Sequence, residues 1–97
     1  MDNNEKRSNK RKYFDVLIPF ELSFAKEGVS GNTREFGRGI DISSGGLGLC
    51  TKFDLKKGWI LRLYLPVDKG GADLPVFSQV VWVNPVGDQV KAGLRFL

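Results

Sequence analysis

Gly39-Ile40-Asp41-Ile42-Ser43-Ser44-Gly45-Gly46-Leu47-Gly48-Leu49 reads as strand, turn and strand. Two short apolar runs flank one carboxylate, two hydroxyls and two adjacent glycines. Gly45 or Gly46 is expected to take positive φ, which a glycine does without steric cost. The turn would point short polar side chains and backbone N–H groups away from a rigid sheet, which suits a ligand site. The same residues suit a purely local role, with Asp41 or Ser43 bonding the turn's own backbone. Local chemistry alone favours the local role.

Outward from this hairpin, the chain keeps the period of two that marks half-buried strands. On the N-terminal side, Thr33 to Ile42 alternates weakly through Phe36, Ile40 and Ile42. Earlier still, Val16, Ile18, Phe20, Leu22 and Phe24 share one face, with Asp15, Leu17, Pro19, Glu21 and Ser23 opposite. Pro19 predicts an edge position or a bulge there, because it cannot donate to a ladder. On the C-terminal side, Leu47 to Thr51 is a short strand and Asp54 to Gly58 a turn. Trp59, Leu61, Leu63 and Leu65 then line one face of a strand ending at Pro66. In the strand from Leu74 to Val83, Leu74, Val76, Ser78, Val80 and Trp82 are expected on one face. Gln89 to Leu97 closes the chain with Val90, Ala92, Leu94 and Phe96 in register. Five or six short strands with glycine-bearing turns and no helical stretch give an all-β domain. Several strands are partly apolar on both faces, so a closed or nearly closed antiparallel barrel is expected, which also removes exposed edges.

The chain has 97 residues, enough for one small domain with a real core. No apolar run approaches the roughly 20 residues of a membrane-spanning helix, and no secretion signal follows Met1. The absence of histidine removes His-based triads, imidazole general bases and His/Cys metal clusters, so neither a catalytic residue nor a metal site is expected. A single cysteine, Cys50, excludes an internal disulfide and suits a cytoplasmic protein; its apolar surroundings predict a buried structural thiol. The net charge of +4 is unevenly placed. Residues 1–12 hold Lys6, Arg7, Lys10, Arg11 and Lys12 against Asp2 and Glu5, a local +3, whereas the remaining 85 residues carry ten bases and nine acids. Two parts follow: a basic arm, residues 1–12, expected to be flexible, and a nearly neutral barrel, residues 13–97. The arm implies an anionic partner, or else a solvated tail.

Arm and turn together resemble the PilZ domain, a bacterial receptor module for the second messenger cyclic di-GMP. Its hallmarks are an N-terminal RxxxR arm and a downstream [DN]xSxxG turn on a six-stranded β-barrel of the split-barrel type. The second motif stands intact as Asp41-x-Ser43-x-x-Gly46, and Val80-Val81-Trp82-Val83 and Gly93-Leu94-Arg95-Phe96 are similar to the family's later strands. The resemblance spans residues 7–97. Arg7-Ser8-Asn9-Lys10-Arg11 satisfies RxxxR literally. In typical members the second arginine directly precedes the first barrel strand, which would assign Arg11 to the first position and Asp15 to the second. Two registers stay open: a shifted arm in which Arg7 and Arg11 reach the ligand, or a degenerate site in which Asp15 repels phosphate. Many members continue into a C-terminal helix. None is expected after Leu97, which leaves one barrel end bare or covered by a partner, a second copy included.

Such a ligand carries two phosphates and two guanines. A guanidinium forks onto phosphate oxygens or onto guanine O6 and N7, and stacks on a base plane. A carboxylate accepts from guanine N–H groups, a hydroxyl donates to phosphate or base, and a glycine lets backbone come close. By resemblance, the ligand-binding residues are Arg7, Arg11, Asp41, Ser43 and Gly46, with Lys10, Lys12, Ser44, Gly45 and Trp82 as further contacts. The alternation itself assigns Trp82 to the core. The implied function is a non-catalytic, cytoplasmic cyclic di-GMP receptor or adaptor with a protein partner and no further cofactor. The alternative is a degenerate interaction module that binds no nucleotide. A nearly neutral body and only two tyrosines argue against a nucleic-acid stacking platform.

Overall fold

The computed structural model describes residues 12–13, 15–23, 34–66 and 73–97, with the backbone alone at 12–13. Its strands are β1 (Lys12–Tyr13), β2 (Leu17–Leu22), β3 (Arg34–Ile42), β4 (Gly46–Thr51), β5 (Ile60–Pro66), β6 (Asp73–Val86) and β7 (Gln89–Phe96). All pairings are antiparallel, in the order β1-β3-β2-β5-β6-β7-β4, and a further β3–β4 pairing joins the ends. The six strands β2 to β7 therefore form a closed barrel, while the two-residue β1 lies along the far end of β3. No helix occurs among the described residues. Residues 1–11 of the arm and Phe24 fall outside the described residues, while Lys12, the last residue assigned to the arm, belongs to β1.

The inward set is largely the one the alternation predicts. Ile18 and Phe20 of β2, Leu47 and Leu49 of β4, Leu61 and Leu63 of β5, Val80 of β6, and Ala92 and Leu94 of β7 are at most 3% exposed. Leu55 joins them from the turn between β4 and β5, closing the barrel's interior from a segment the period rule treats as surface. Phe53 packs edge-on against Phe20, with ring centroids 6.1 Å apart, and leans on Trp59 at 6.5 Å. These aromatic contacts tie the β4–β5 turn to the core.

Two strands depart from plain alternation, each through a bulge. In β3 the buried positions are Gly37 and Gly39, while Phe36 is 52% exposed, so the expected Phe36–Ile40 face is reversed at its start. A Cβ at Gly37 would fall 2.8 Å from Leu49, whose side chain already fills that part of the interior. The β3–β4 register then slips between Gly39 and Asp41, making Ile40 the extra residue and turning Ile42 back onto the core. In β6 the β6–β7 register slips between Val80 and Trp82, so Val81 is the extra residue. Val83 packs against the core in place of Trp82, whose side chain turns outward and is 45% exposed. The core position that alternation assigns to Trp82 is thus corrected by one inserted residue.

Pro19 is not on an edge strand, since β2 lies between β3 and β5. It pairs with Phe36 of β3, and the pairing with β5 begins only at Phe20, so the missing N–H falls where the second neighbour has not yet started. Cys50 faces outward and is only half-buried, with its thiol donating to Gln89 Oε1 at 2.9 Å, so the buried-thiol expectation is also corrected.

Because Phe20 is fully buried and braced by Phe53, Phe20→Ala should cost about 3–5 kcal/mol of unfolding free energy. Urea titration followed by tryptophan fluorescence measures this, and a loss below about 1 kcal/mol would contradict the packing described.

Candidate ligand site

The turn between β3 and β4 is held by its own hydrogen bonds. Ser43 N–H donates to the Gly46 carbonyl at 2.9 Å, and Gly45 N–H donates to Ser43 Oγ at 3.2 Å. The Ser43 hydroxyl also lies 3.5 Å from the Gly46 carbonyl as donor. Phe96 N–H donates to the Gly45 carbonyl at 2.9 Å, which ties the turn to β7. Neither Gly45 nor Gly46 has positive φ; the described glycines that do are Gly58 and Gly87. Glycine is required at 46 for a different reason. A Cβ there would collide with the Leu94 carbonyl oxygen of β7, because β4 and β7 backbones close on each other at this point.

The outer surface beside the turn is nearly bare backbone. Gly48 of β4 pairs with Gly93 of β7, which pairs in turn with Trp82 of β6. The Trp82 indole lies over Gly93 so closely that a Cβ there would overlap its ring. On the other side, the Asp41 carboxylate stands over Gly48, with Oδ1 3.1 Å from where a Cβ would be. Gly46 pairs with Arg95, whose guanidinium donates to Gln79 Oε1 at 2.6 Å. Ser43, Gly45, Gly46, Trp82, Gly93 and Arg95 line an open cleft of about 420 Å³. A low floor, an exposed aromatic wall and a guanidinium make a surface on which a flat polar ring can lie.

The N-terminal strand arrives at the same place. Lys12 pairs with Ile42 and Tyr13 with Asp41, so β1 lies beside the end of β3 with Lys12 nearer the turn. Asp15, by contrast, lies farther back along β3, where its carboxylate accepts from Arg38 at 2.7 Å.

Residues 5–97 match the family model of the PilZ domain. The chain belongs to the PilZ domain family. Among solved structures, this PilZ domain is similar to the PilZ domain of YcgR from Escherichia coli solved with c-di-GMP, with a TM-score of 0.67 and 16% identity over 95% of this chain and 78% of that one. It is also similar to YcgR from the same organism in complex with c-di-GMP, with a TM-score of 0.64 and 17% identity over 95% of this chain and 38% of that one. No curated protein matches the chain significantly. At these identities the likeness extends to the barrel fold.

Within this PilZ domain, Ser43, Gly45, Gly46 and Trp82 of the expected site converge on one cleft, and Asp41 stands one strand pair away. Ser44 is exposed at the tip of the same turn. Arg7, Lys10 and Arg11 fall outside the described residues, and Lys12 is placed by its backbone alone. Sequence reasoning missed Arg95 and Arg38. The β7 alternation already turned Arg95 outward, but only the β4–β7 register sets it opposite Gly46.

Two glycine substitutions separate floor from wall. Gly46→Ala meets backbone that cannot swing away, and should cost about 1–3 kcal/mol or more in denaturant unfolding. Gly93→Ala meets an indole that can, so in a Trp59→Phe background it should shift Trp82 fluorescence while changing the melting temperature less than Gly46→Ala does. Equal losses of stability from the two would refute this division.

Proposed function

We propose that this PilZ domain is a non-catalytic receptor for cyclic di-GMP that closes its basic arm over ligand held on the outer face of β3, β4 and β7. The observation that carries the reading is the β1–β3 register, Lys12 with Ile42 and Tyr13 with Asp41. Arg11 directly precedes Lys12, so chain connectivity keeps its Cα within about 3.8 Å of the Lys12 Cα. Lys12, where the basic stretch joins the barrel, therefore stands beside the Asp41–Gly46 turn. On this reading Arg7 and Arg11 fork onto phosphate and guanine, with Lys10 and Lys12 adding charge. Asp41 accepts from guanine N–H groups, Ser43 and Ser44 supply hydroxyls, Gly45 and Gly46 give close backbone approach, and Trp82 stacks on a base.

Asp15 bears on which arm register applies. Its carboxylate is occupied by Arg38 and lies away from Asp41 along β3, which supports the shifted arm over the degenerate one. The opposite reading, an interaction module without nucleotide, draws on the same carboxylate standing where an arginine is usual. The receptor would act in the cytoplasm, and the closed arm would present a changed surface to a protein partner or a second copy.

Isothermal titration with cyclic di-GMP tests the proposal, and no heat at high micromolar ligand in low salt would sink it. Arg11→Ala and Asp41→Ala should each weaken binding about 10-fold or more, as charged hydrogen bonds are lost. Arg7→Ala should weaken it comparably if the arm is shifted. Asp15→Arg should not tighten binding. It removes an exposed ion pair worth about 1 kcal/mol or less and sets two guanidiniums side by side. A clear gain in affinity from Asp15→Arg would favour the degenerate register.

A further inference from the structure

We infer that Arg95 reads the Hoogsteen edge of one guanine, and so selects guanine bases among purine cyclic dinucleotides. This rests on the ligand reading above and assigns a base-reading residue to the same cleft. Arg95 stands on the outer face of β7, two residues from Gly93 and directly opposite Gly46. The Trp82 indole covers Gly93, so a ring stacked on its exposed face would have its edge toward the next outward position of β7, which is Arg95.

The guanidinium is held rather than loose. Gln79 of β6, the cross-strand partner of Arg95, accepts from its NH2 group at 2.6 Å. The Gln79 amide in turn reaches the Gly58 carbonyl at 3.5 Å, which orients its oxygen toward the arginine. Gln79 takes one of the five guanidinium N–H donors. The planar fork so positioned matches two acceptors in one plane, as guanine offers with O6 and N7. Adenine keeps N7 but carries an N6 amino donor where guanine has O6, so the same fork meets a donor and the match fails. Phosphate would also accept such a fork, but the sequence of the arm holds five further cations, whereas the described cleft wall offers one, Arg95.

A chemical cycle tests the assignment. The four affinities are those of the unaltered protein and of Arg95→Ala, each titrated with cyclic di-GMP and with its analogue in which 7-deazaguanine replaces guanine. The analogue has carbon in place of N7 and keeps both phosphates. The unaltered protein should bind the analogue about 10-fold more weakly, as expected for loss of one charge-assisted hydrogen bond. In Arg95→Ala that penalty should shrink several-fold, because the contact is already gone. Arg95→Ala should also lower cyclic di-GMP affinity about 10-fold with an unchanged melting temperature. An equal penalty in both proteins overturns the assignment and marks Arg95 as a phosphate contact or a bystander. No binding of cyclic di-GMP by the unaltered protein overturns the ligand reading itself, and this one with it.

Discussion

The approach of β4 to β7 at Gly46 and Leu94 is the contact on which the barrel depends. There the Leu94 carbonyl occupies the space of a side chain that Gly46 lacks. β4 pairs with β3 on one side and β7 on the other, so it is the strand that turns an open sheet into a closed one. Closure gives each strand from β2 to β7 a neighbour on both sides and lets Leu47 and Leu49 be buried completely. The same contact brings the Ser43–Gly46 turn against Arg95 and Phe96. Stability and the candidate site thus share one glycine.

A second theme is that the outer face is prepared by what happens in the wall. The two bulges, at Ile40 and at Val81, each add one residue to a strand. Ile40 lets Asp41 stand outward over Gly48 while Ile42 returns to the core. Val81 sends Trp82 outward over Gly93 while Val83 takes the inward place. Bulges commonly re-aim side chains next to functional surfaces. Here the re-aimed side chains lie over the two members of one glycine pair, Asp41 over Gly48 and Trp82 over Gly93, so a polar and an aromatic group stand side by side on the outer face.

Charge pairs outside this strip do a different job. Glu21 gathers Arg34 at 3.4 Å, Arg62 at 3.8 Å and the Tyr64 hydroxyl at 3.2 Å across three neighbouring strands. The Arg34 guanidinium also rests 4.4 Å above the Tyr64 ring. Glu21 is 18% exposed and its two arginines 47% and 43%, so the cluster is half-sheltered and orders side chains across the three strands. Asp15 and Arg38 form a more exposed pair, worth about 1 kcal/mol or less. Their pairing compensates a carboxylate that would otherwise stand as an isolated charge on the barrel surface.

Hydropathy of period two was enough to reveal the strands from Val16 to Phe96, most of the buried set and the closed all-β architecture. Each buried leucine at Leu61, Leu63 and Leu94 carries its facing in its spacing. The Asp41–Gly46 turn and its candidate residues were legible for the same reason, being contiguous. Facing was lost where one inserted residue reverses parity, at Ile40 and Val81, since a bulge leaves no compositional mark of its own. The reason for Gly46 was misread as a backbone torsion, because a clash with Leu94 comes from a strand almost fifty positions away in sequence. Register between distant strands decided the rest. It set Arg95 opposite Gly46, Trp82 over Gly93 and Tyr13 against Asp41, none of which a local pattern encodes, because cross-strand partners are chosen by the packing of the whole barrel.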